Sequence, residues 1–459
     1  MRAVIVGNGP AAASAVKAFR EVDRESSVVI ISPERYPTYA PNCMENVIRD
    51  DILPEALFYT GGERFYERYR VELYLGKEAV RIDTKKKVVM TADGGEIPYD
   101  VCLLAAGAEP FIPPIEGIGL KGITTAKTLD DAIRIRKWIT SGKVRKAVVL
   151  GAGPIGIEDA ETLHHMGVDV SVVEILDRVL PRMLDPQMGR AYAQAFQRET
   201  GIKIYLEHGA VAFHGKEWVE SVEIKPTDSD RSLFIETDMV ILSTGVRPRT
   251  YLAEGTDIKL HGKRGGILVD EYQRTSDLCV FAAGDIASSV DVWGNHRWIA
   301  LFPAAQQCGY VAGFNMAGKK VKNLGTVDYN AVKTRTVTAG SGGLFEDAEE
   351  EMLVESGNYL IKVFFREGTV IGYQFVGLPR RPSINPRNRF LGMMTKIRDW
   401  EEKVLNDRGL GLEASGVLFH FFLKLRRGMN VYTKRALERM LLRALANPSY
   451  DTPLYGEVP

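Results

Sequence analysis

An α/β fold class is predicted by three features of this 459-residue chain. Two segments, RAVIVGNGPAAASAVKAF from Arg2 and KAVVLGAGPIGIEDAETLHH from Lys146, each read as a strand, a glycine turn and a helix. Continuous apolar runs such as VCLLAAG and LCVFAAG lack alternation, as strands buried on both faces do. After about residue 326 the pattern changes to alternating strands and then amphipathic helices. The expected architecture is two Rossmann-like dinucleotide-binding domains, a C-terminal α+β domain and a helical tail.

The first turn is Gly7-Asn8-Gly9-Pro10-Ala11-Ala12, directly after the apolar run Ala3 to Val6. Gly7 allows the tight turn, Gly9 lets backbone approach a pyrophosphate, and Ala12 keeps the helix close to its strand. The helix start then offers free N–H groups to phosphate. The following strand, SSVVIIS, ends at Ser32, and Glu34 is the candidate acid for the ribose of this nucleotide.

The second turn repeats the pattern more completely, as Gly151-x-Gly153-x-Ile155-Gly156. Its helix is expected over about Pro154 to Met166, with Gly167 as the stop. Glu174 closes the next strand, 23 residues beyond Gly151, where a carboxylate can accept hydrogen bonds from an adenosine ribose diol. That acid also predicts the coenzyme. At about 4 Å and an effective dielectric of about 20, each unit of like charge on a 2′-phosphate costs about 4 kcal/mol before screening. NADH is therefore favoured over NADPH, with Arg178 nearby in sequence as a partial neutraliser.

Lys plus Arg equals Asp plus Glu at 59 each, so no global charge draws the chain to nucleic acid or an anionic membrane. The four cysteines, Cys43, Cys102, Cys279 and Cys308, form no C-x-x-C pair and have neither zinc nor iron–sulfur spacing. No metal is expected. Cys102 and Cys279 read as buried hydrophobes within strands. So few cysteines without a disulfide pattern suit a reducing, cytoplasmic setting. The first apolar run is too short for a signal peptide or a membrane span, and GVLFHFFLKL is too short to cross a bilayer.

With these pieces in order, the chain resembles the FAD-dependent pyridine nucleotide–disulfide oxidoreductase superfamily over roughly residues 1 to 376. LLAAGAEP, Leu103 to Pro110, looks like the passage from FAD domain to NAD domain, and LSTGVRP, Leu242 to Pro248, like the return. The run from Ile267 to Ala287 is similar to the signature ending in Gly284-Asp285, and Pro303 to Gly318 resembles the helix that approaches the flavin. The resemblance implies FAD contacts at Ala106, Gly107, Gly284 and Asp285, with Asp285 on the ribityl chain, and an NAD contact at Gly245. Gly284 is expected to precede a helix-like stretch. The resemblance further implies an FAD domain over 1–117 and 240–325 with the NAD domain, 118–239, inserted in it. Nicotinamide and flavin would then meet at the junction for hydride transfer.

In the third region, 326–377, NYLIKVFFREGTVIGYQFVG reads as a hairpin around Arg366-Glu367-Gly368 and resembles the superfamily's interface domain, which leaves a homodimer open. A Pro- and Arg-rich linker follows, then a helical tail, 385–459, that has no match in the family pattern. Its polar faces carry Lys424, Arg426, Arg427, Lys434, Arg435, Arg439 and Arg443. A solvated face over a core extension and a docking surface for an acidic partner are both open readings, ahead of a membrane-surface helix.

Cys43, in PTYAPNCMENV, lies where single-thiol members resembling coenzyme A disulfide reductase and NADH oxidase keep a redox sulfur. The Gly and Pro that usually follow that sulfur are replaced by Met44, Glu45 and Asn46. Tyr39, Val47 and Ile48 equally fit the pattern of nitrite reductase flavin modules and rubredoxin reductase, where no thiol takes part. Three functions stay open. The first is an NADH:acceptor oxidoreductase feeding a protein redox carrier, an iron–sulfur protein or a subunit of a larger complex. The second is a thiol enzyme using Cys43. The third is a non-catalytic flavin-binding scaffold.

Overall fold

The computed structural model describes residues 1–377 except 263, 264, 327, 333, 357 and 358, so the expected helical tail lies outside the described residues. The chain forms two compact units. One takes Met1–Phe111, Lys127–Ile133 and Gly245–Asp328; the other takes Ile112–Ala126, Arg134–Thr244 and the described residues from Tyr329 on.

The first unit is built on a parallel five-stranded sheet. Its spatial order is Val280–Ala282, Val101–Leu104, Arg2–Val6, Ser27–Ser32, Val71–Leu75. The central strand, Arg2–Val6, is apolar because both faces are covered: Ala3 and Val4 are 0 % exposed. Its neighbours run off in opposite directions along the sheet, so the glycine turn that follows it opens at a topological switch point. Helix Pro10–Val22 covers one face and packs along helix Phe302–Met316. That packing is close because Gly309 and Gly313 present no Cβ. A Cβ at those positions would lie 2.1 Å from the Ala11 carbonyl oxygen and 2.2 Å from that of Ala15.

The second unit repeats the plan in the order Lys203–Tyr205, Asp169–Val173, Lys146–Leu150, Met239–Leu242, Ile123–Thr124, all parallel. The helix after its glycine turn spans Pro154–His165, within a residue of expectation. A separate antiparallel five-stranded sheet covers Tyr329–Val332 to Thr369–Gly377. The expected hairpin is there, with Arg366 paired to Thr369 across a two-residue turn. Glu367 (φ 49°) and Gly368 (φ 68°) both occupy the left-handed region that such turns require.

Within the second unit this sheet is tied to helix Pro186–Thr200 by a buried ion pair. Asp185 caps helix Pro186–Thr200 by accepting from Met188 N–H at 2.9 Å. Its other oxygen accepts from Lys362 Nζ at 2.6 Å, and Lys362 also reaches Glu351. Asp185 and Lys362 are 7 % and 5 % exposed. Lys362→Ala therefore leaves a carboxylate buried without its cation and is expected to cost about 3–5 kcal/mol. A lowered denaturation midpoint with flavin content intact would show it.

Two expectations are corrected. The stretch after Gly284-Asp285 is a strand, Ala287–Val290, not a helix-like segment. Its pairing with Ile267–Leu268 and His296–Arg297 decides this. Cys102 is fully buried as expected, but Cys279 precedes its strand and is partly exposed, with Lys87 Nζ 3.4 Å from its sulfur.

Candidate functional site: two dinucleotide cradles

In the first unit, Gly7 turns the chain at φ +107°, and a Cβ there would lie 2.2 Å from the Ala105 carbonyl oxygen. No L side chain fits, on conformation or on space. Gly9 differs: its backbone is extended (φ −90°, ψ −169°), and a Cβ on it would meet nothing within 4 Å. The space in front of Gly9 is open, as a pyrophosphate requires. Helix Pro10–Val22 starts there with Pro10 at its first position and no side-chain cap. By contrast, helix Pro186–Thr200 has its cap in Asp185. The uncapped N–H groups and the helix dipole suit an anion.

Gly284 (φ +77°) closes on the same place. A Cβ on it would stand 3.2 Å from Ala11 Cβ and 3.4 Å from Ala305 Cβ, so it nestles between the starts of both packed helices. Asp285 follows, with Lys127 Nζ 3.9 Å from its Oδ2. Burial pushes the Asp285 carboxyl above its usual range, and Lys127 pulls against that. Glu34 lies past the end of strand Ser27–Ser32, where its Oε2 accepts from Tyr39 O–H at 2.7 Å. Ala106 and Gly107 lead into a two-stranded ribbon, Ala108–Pro110 against Val246–Pro248. Gly245 (φ +101°) precedes the return strand, and its carbonyl accepts from Phe111 N–H at 2.9 Å. Both passages predicted from sequence thus share one ribbon.

The second unit holds the other cradle. Gly151 (φ +101°) turns against the Ser243 carbonyl, 2.4 Å from where a Cβ would sit. At Gly153 a Cβ would again meet nothing within 4 Å, whereas at Gly156 it would lie 2.0 Å from the Gly151 carbonyl oxygen. Space and packing are therefore divided between Gly153 and Gly156. Ile155 is 48 % exposed at the helix start. Glu174 sits just past the end of strand Asp169–Val173. It is 6 % exposed, its Oε2 accepts from Ala152 N–H at 2.7 Å, and its Oε1 accepts from Leu176 N–H at 3.0 Å. It braces the glycine turn itself and keeps lone pairs for a diol. Arg178 is engaged by Asp177 at 2.7 Å and by the Leu184 carbonyl at 3.2 Å. Its charge is already matched.

A family model described as pyridine nucleotide-disulphide oxidoreductase matches residues 1–309. The chain belongs to that family. It is an FAD- and NAD-dependent oxidoreductase. Among curated proteins it is 34 % identical over 352 residues to an NADH oxidase of Methanocaldococcus jannaschii, covering 75 % of this chain and 76 % of that one. It is 30 % identical over 386 residues to the NADH-dependent phenylglyoxylate dehydrogenase subunit epsilon of Aromatoleum evansii, covering 80 % and 86 %. Among solved structures, a NAD-dependent persulfide reductase from A. fulgidus superposes with a TM-score of 0.77 at 25 % identity, covering 94 % of this chain and 85 % of that one.

In this family member Cys43 is 0 % exposed. It ends the single turn Pro41–Cys43 and stands at the start of helix Met44–Ile48. Its N–H donates to the Ala40 carbonyl at 3.2 Å, and its carbonyl accepts from Asn46 Nδ2 at 3.1 Å. Arg49 reaches Asn46 at 2.7 Å and Asp51 at 2.9 Å. Among the described residues no three His, Cys, Asp or Glu side chains gather as metal ligands. Nor is any helix among them long and apolar enough to cross a membrane.

Sequence reasoning missed several participants. Gly309 and Gly313 carried a readable signal, since small residues four apart face Ala11 and Ala15, also four apart. Ser243 and Lys127 carried none, because each acts on a residue distant in sequence.

Proposed function

We propose that this chain oxidises NADH through FAD and passes the electrons to a protein-borne redox centre, in a cytoplasmic setting. The observation that carries the proposal is the pair of open cradles at Gly9 and Gly153, each in front of an uncapped helix start. Gly7, Gly9, Pro10, Ala11 and Ala12 would hold the FAD pyrophosphate, with Glu34 on its ribose and Ala106, Gly107, Gly284 and Asp285 along its length. Gly151, Gly153, Ile155, Gly156 and Gly245 would hold NADH, with Glu174 on its ribose. Bound FAD supplies the acceptor for a hydride from the nicotinamide. The protein's part is to hold each dinucleotide in its own cradle. The matched charge of Arg178 beside Glu174 supports NADH over NADPH.

Two observations favour a protein carrier over a small disulfide. The burial of Cys43 leaves no route for a bulky substrate to its sulfur in this state, and a relative of nearly the same length is a dehydrogenase subunit. The basic tail, 385–459, is the proposed docking element. No disulfide engages any cysteine, which fits the cytoplasmic assignment.

The second reading, a thiol enzyme using Cys43, is favoured by the position of that sulfur at a helix start and by the relatives named for NADH oxidation and persulfide reduction. Substituting Cys43→Ser separates the two. The carrier reading expects NADH-driven reduction of an artificial one-electron acceptor to stay within about twofold, because a conservative change away from the cradles leaves them intact. A thiolate-to-flavin charge-transfer band that appears on reduction and vanishes in the variant would establish the thiol reading instead.

A further inference from the structure

Three tyrosines frame the segment that leads to Cys43. Tyr66 is 4 % exposed and uses its phenol in both directions. It accepts from Thr38 N–H at 2.8 Å and donates to Asn8 Oδ1 at 2.9 Å. Asn8 is the residue between Gly7 and Gly9, and its own amide nitrogen donates to the Tyr36 carbonyl at 3.2 Å. Asn8, Tyr66 and the stretch Tyr36 to Thr38 thus form a closed ring of hydrogen bonds. Tyr39 fastens the same stretch a second time, donating to Glu34 at 2.7 Å while accepting from Leu129 N–H at 3.3 Å. Burial pushes the Tyr66 phenol above its usual range, so it keeps the proton it donates.

From Thr38, which is 1 % exposed, the chain has little freedom before the sulfur. Ala40 N–H donates to the Leu57 carbonyl at 3.0 Å, and Cys43 N–H donates back to Ala40. Both fasteners end on groups that the proposed reading puts against FAD: the first glycine turn and the ribose acid. A ligand that holds those groups still must also hold the segment attached to them.

We propose that Tyr66 is a positioning residue that couples the first glycine turn to the segment carrying Cys43, so that FAD in its site keeps the sulfur in place. The inference rests on the reading that FAD binds at that turn. It makes the local environment of Cys43 depend on the cofactor through named hydrogen bonds.

The test is alkylation of the full-length protein with iodoacetamide, followed by mass spectrometry at each cysteine. Wild type and Tyr66→Phe are compared, each saturated with FAD and stripped of it. The coupling is read as the ratio of Cys43 rates, stripped over saturated. In wild type this ratio should exceed about ten, and in Tyr66→Phe it should fall about tenfold toward unity, the scale of one or two buried hydrogen bonds. The Phe ring keeps the edge-on packing of Tyr66 against Phe65, whose centroid is 5.2 Å away. Cys102, buried in the central sheet, reports global opening. If it becomes reactive in Tyr66→Phe, Asn8→Ala removes the acceptor instead and is expected to give the same fall. An unchanged ratio in a variant whose Cys102 stays protected overturns the inference. So does a wild-type ratio of unity in protein that binds FAD. Wild-type protein that takes up no FAD overturns the cofactor reading, and the inference falls with it.

Discussion

Gly9→Ala is expected to give folded protein that has lost most of its FAD. The extended backbone at Gly9 suits any L residue, and an added methyl meets no protein atom within 4 Å. Thermal stability of the cofactor-free form should therefore stay within about 0.5 kcal/mol of wild type. The methyl would stand instead in the open space that the proposed reading gives to the pyrophosphate. Overpacking of that kind costs about 1–3 kcal/mol, or roughly five- to 150-fold in affinity. The contrast is Gly7→Ala, which forces a left-handed backbone and a clash 2.2 Å from the Ala105 carbonyl oxygen. That variant should fail to accumulate in folded form. The same division holds at the second turn: Gly153→Ala should remain yellow and lose NADH affinity, while Gly156→Ala should destabilise the fold. Flavin content, nucleotide titration and denaturation midpoints measure all four.

Glu174→Gln is expected to change coenzyme preference more than stability. The amide keeps one oxygen able to accept from Ala152 or Leu176 N–H, so one of the two braces survives. The negative charge that opposes a 2′-phosphate is gone. With about 4 kcal/mol per unit of like charge at about 4 Å before screening, and solvent reducing that severalfold, kcat/KM for NADPH relative to NADH should rise about ten- to a hundredfold. The matched Arg178 keeps the gain from going further, since it has no unpaired charge to offer the phosphate. If the preference stays put while NADH affinity falls, Glu174 is only a strut for the glycine turn and the ribose contact lies elsewhere.

What sequence could and could not reveal follows from the range of each interaction. The two glycine turns were legible because their demands are local: Gly7 and Gly151 need positive φ, Gly156 needs an absent Cβ, and spacing records both. The Glu367-Gly368 hairpin was legible for the same reason. The segment after Gly284 was misread because its strand state is set by partners at Ile267–Leu268 and His296–Arg297, not by its own residues. Tyr66 and Asn8 are 58 positions apart, and Asp185 and Lys362 are 177 apart. No local pattern encodes such pairs. Cys43 shows the sharpest limit. Its position after the first βαβ unit leaves a redox sulfur and a loop residue both open, and the hydrogen bonds that fasten the segment before it reach residues as far apart as Asn8 and Leu129.

Anaerobic titration of the purified protein with NADH tests the central claim most directly. The account predicts yellow protein whose flavin absorbance bleaches fully with NADH equimolar to flavin, in wild type and in Cys43→Ser alike. A protein that holds FAD yet keeps its colour with excess NADH would contradict it.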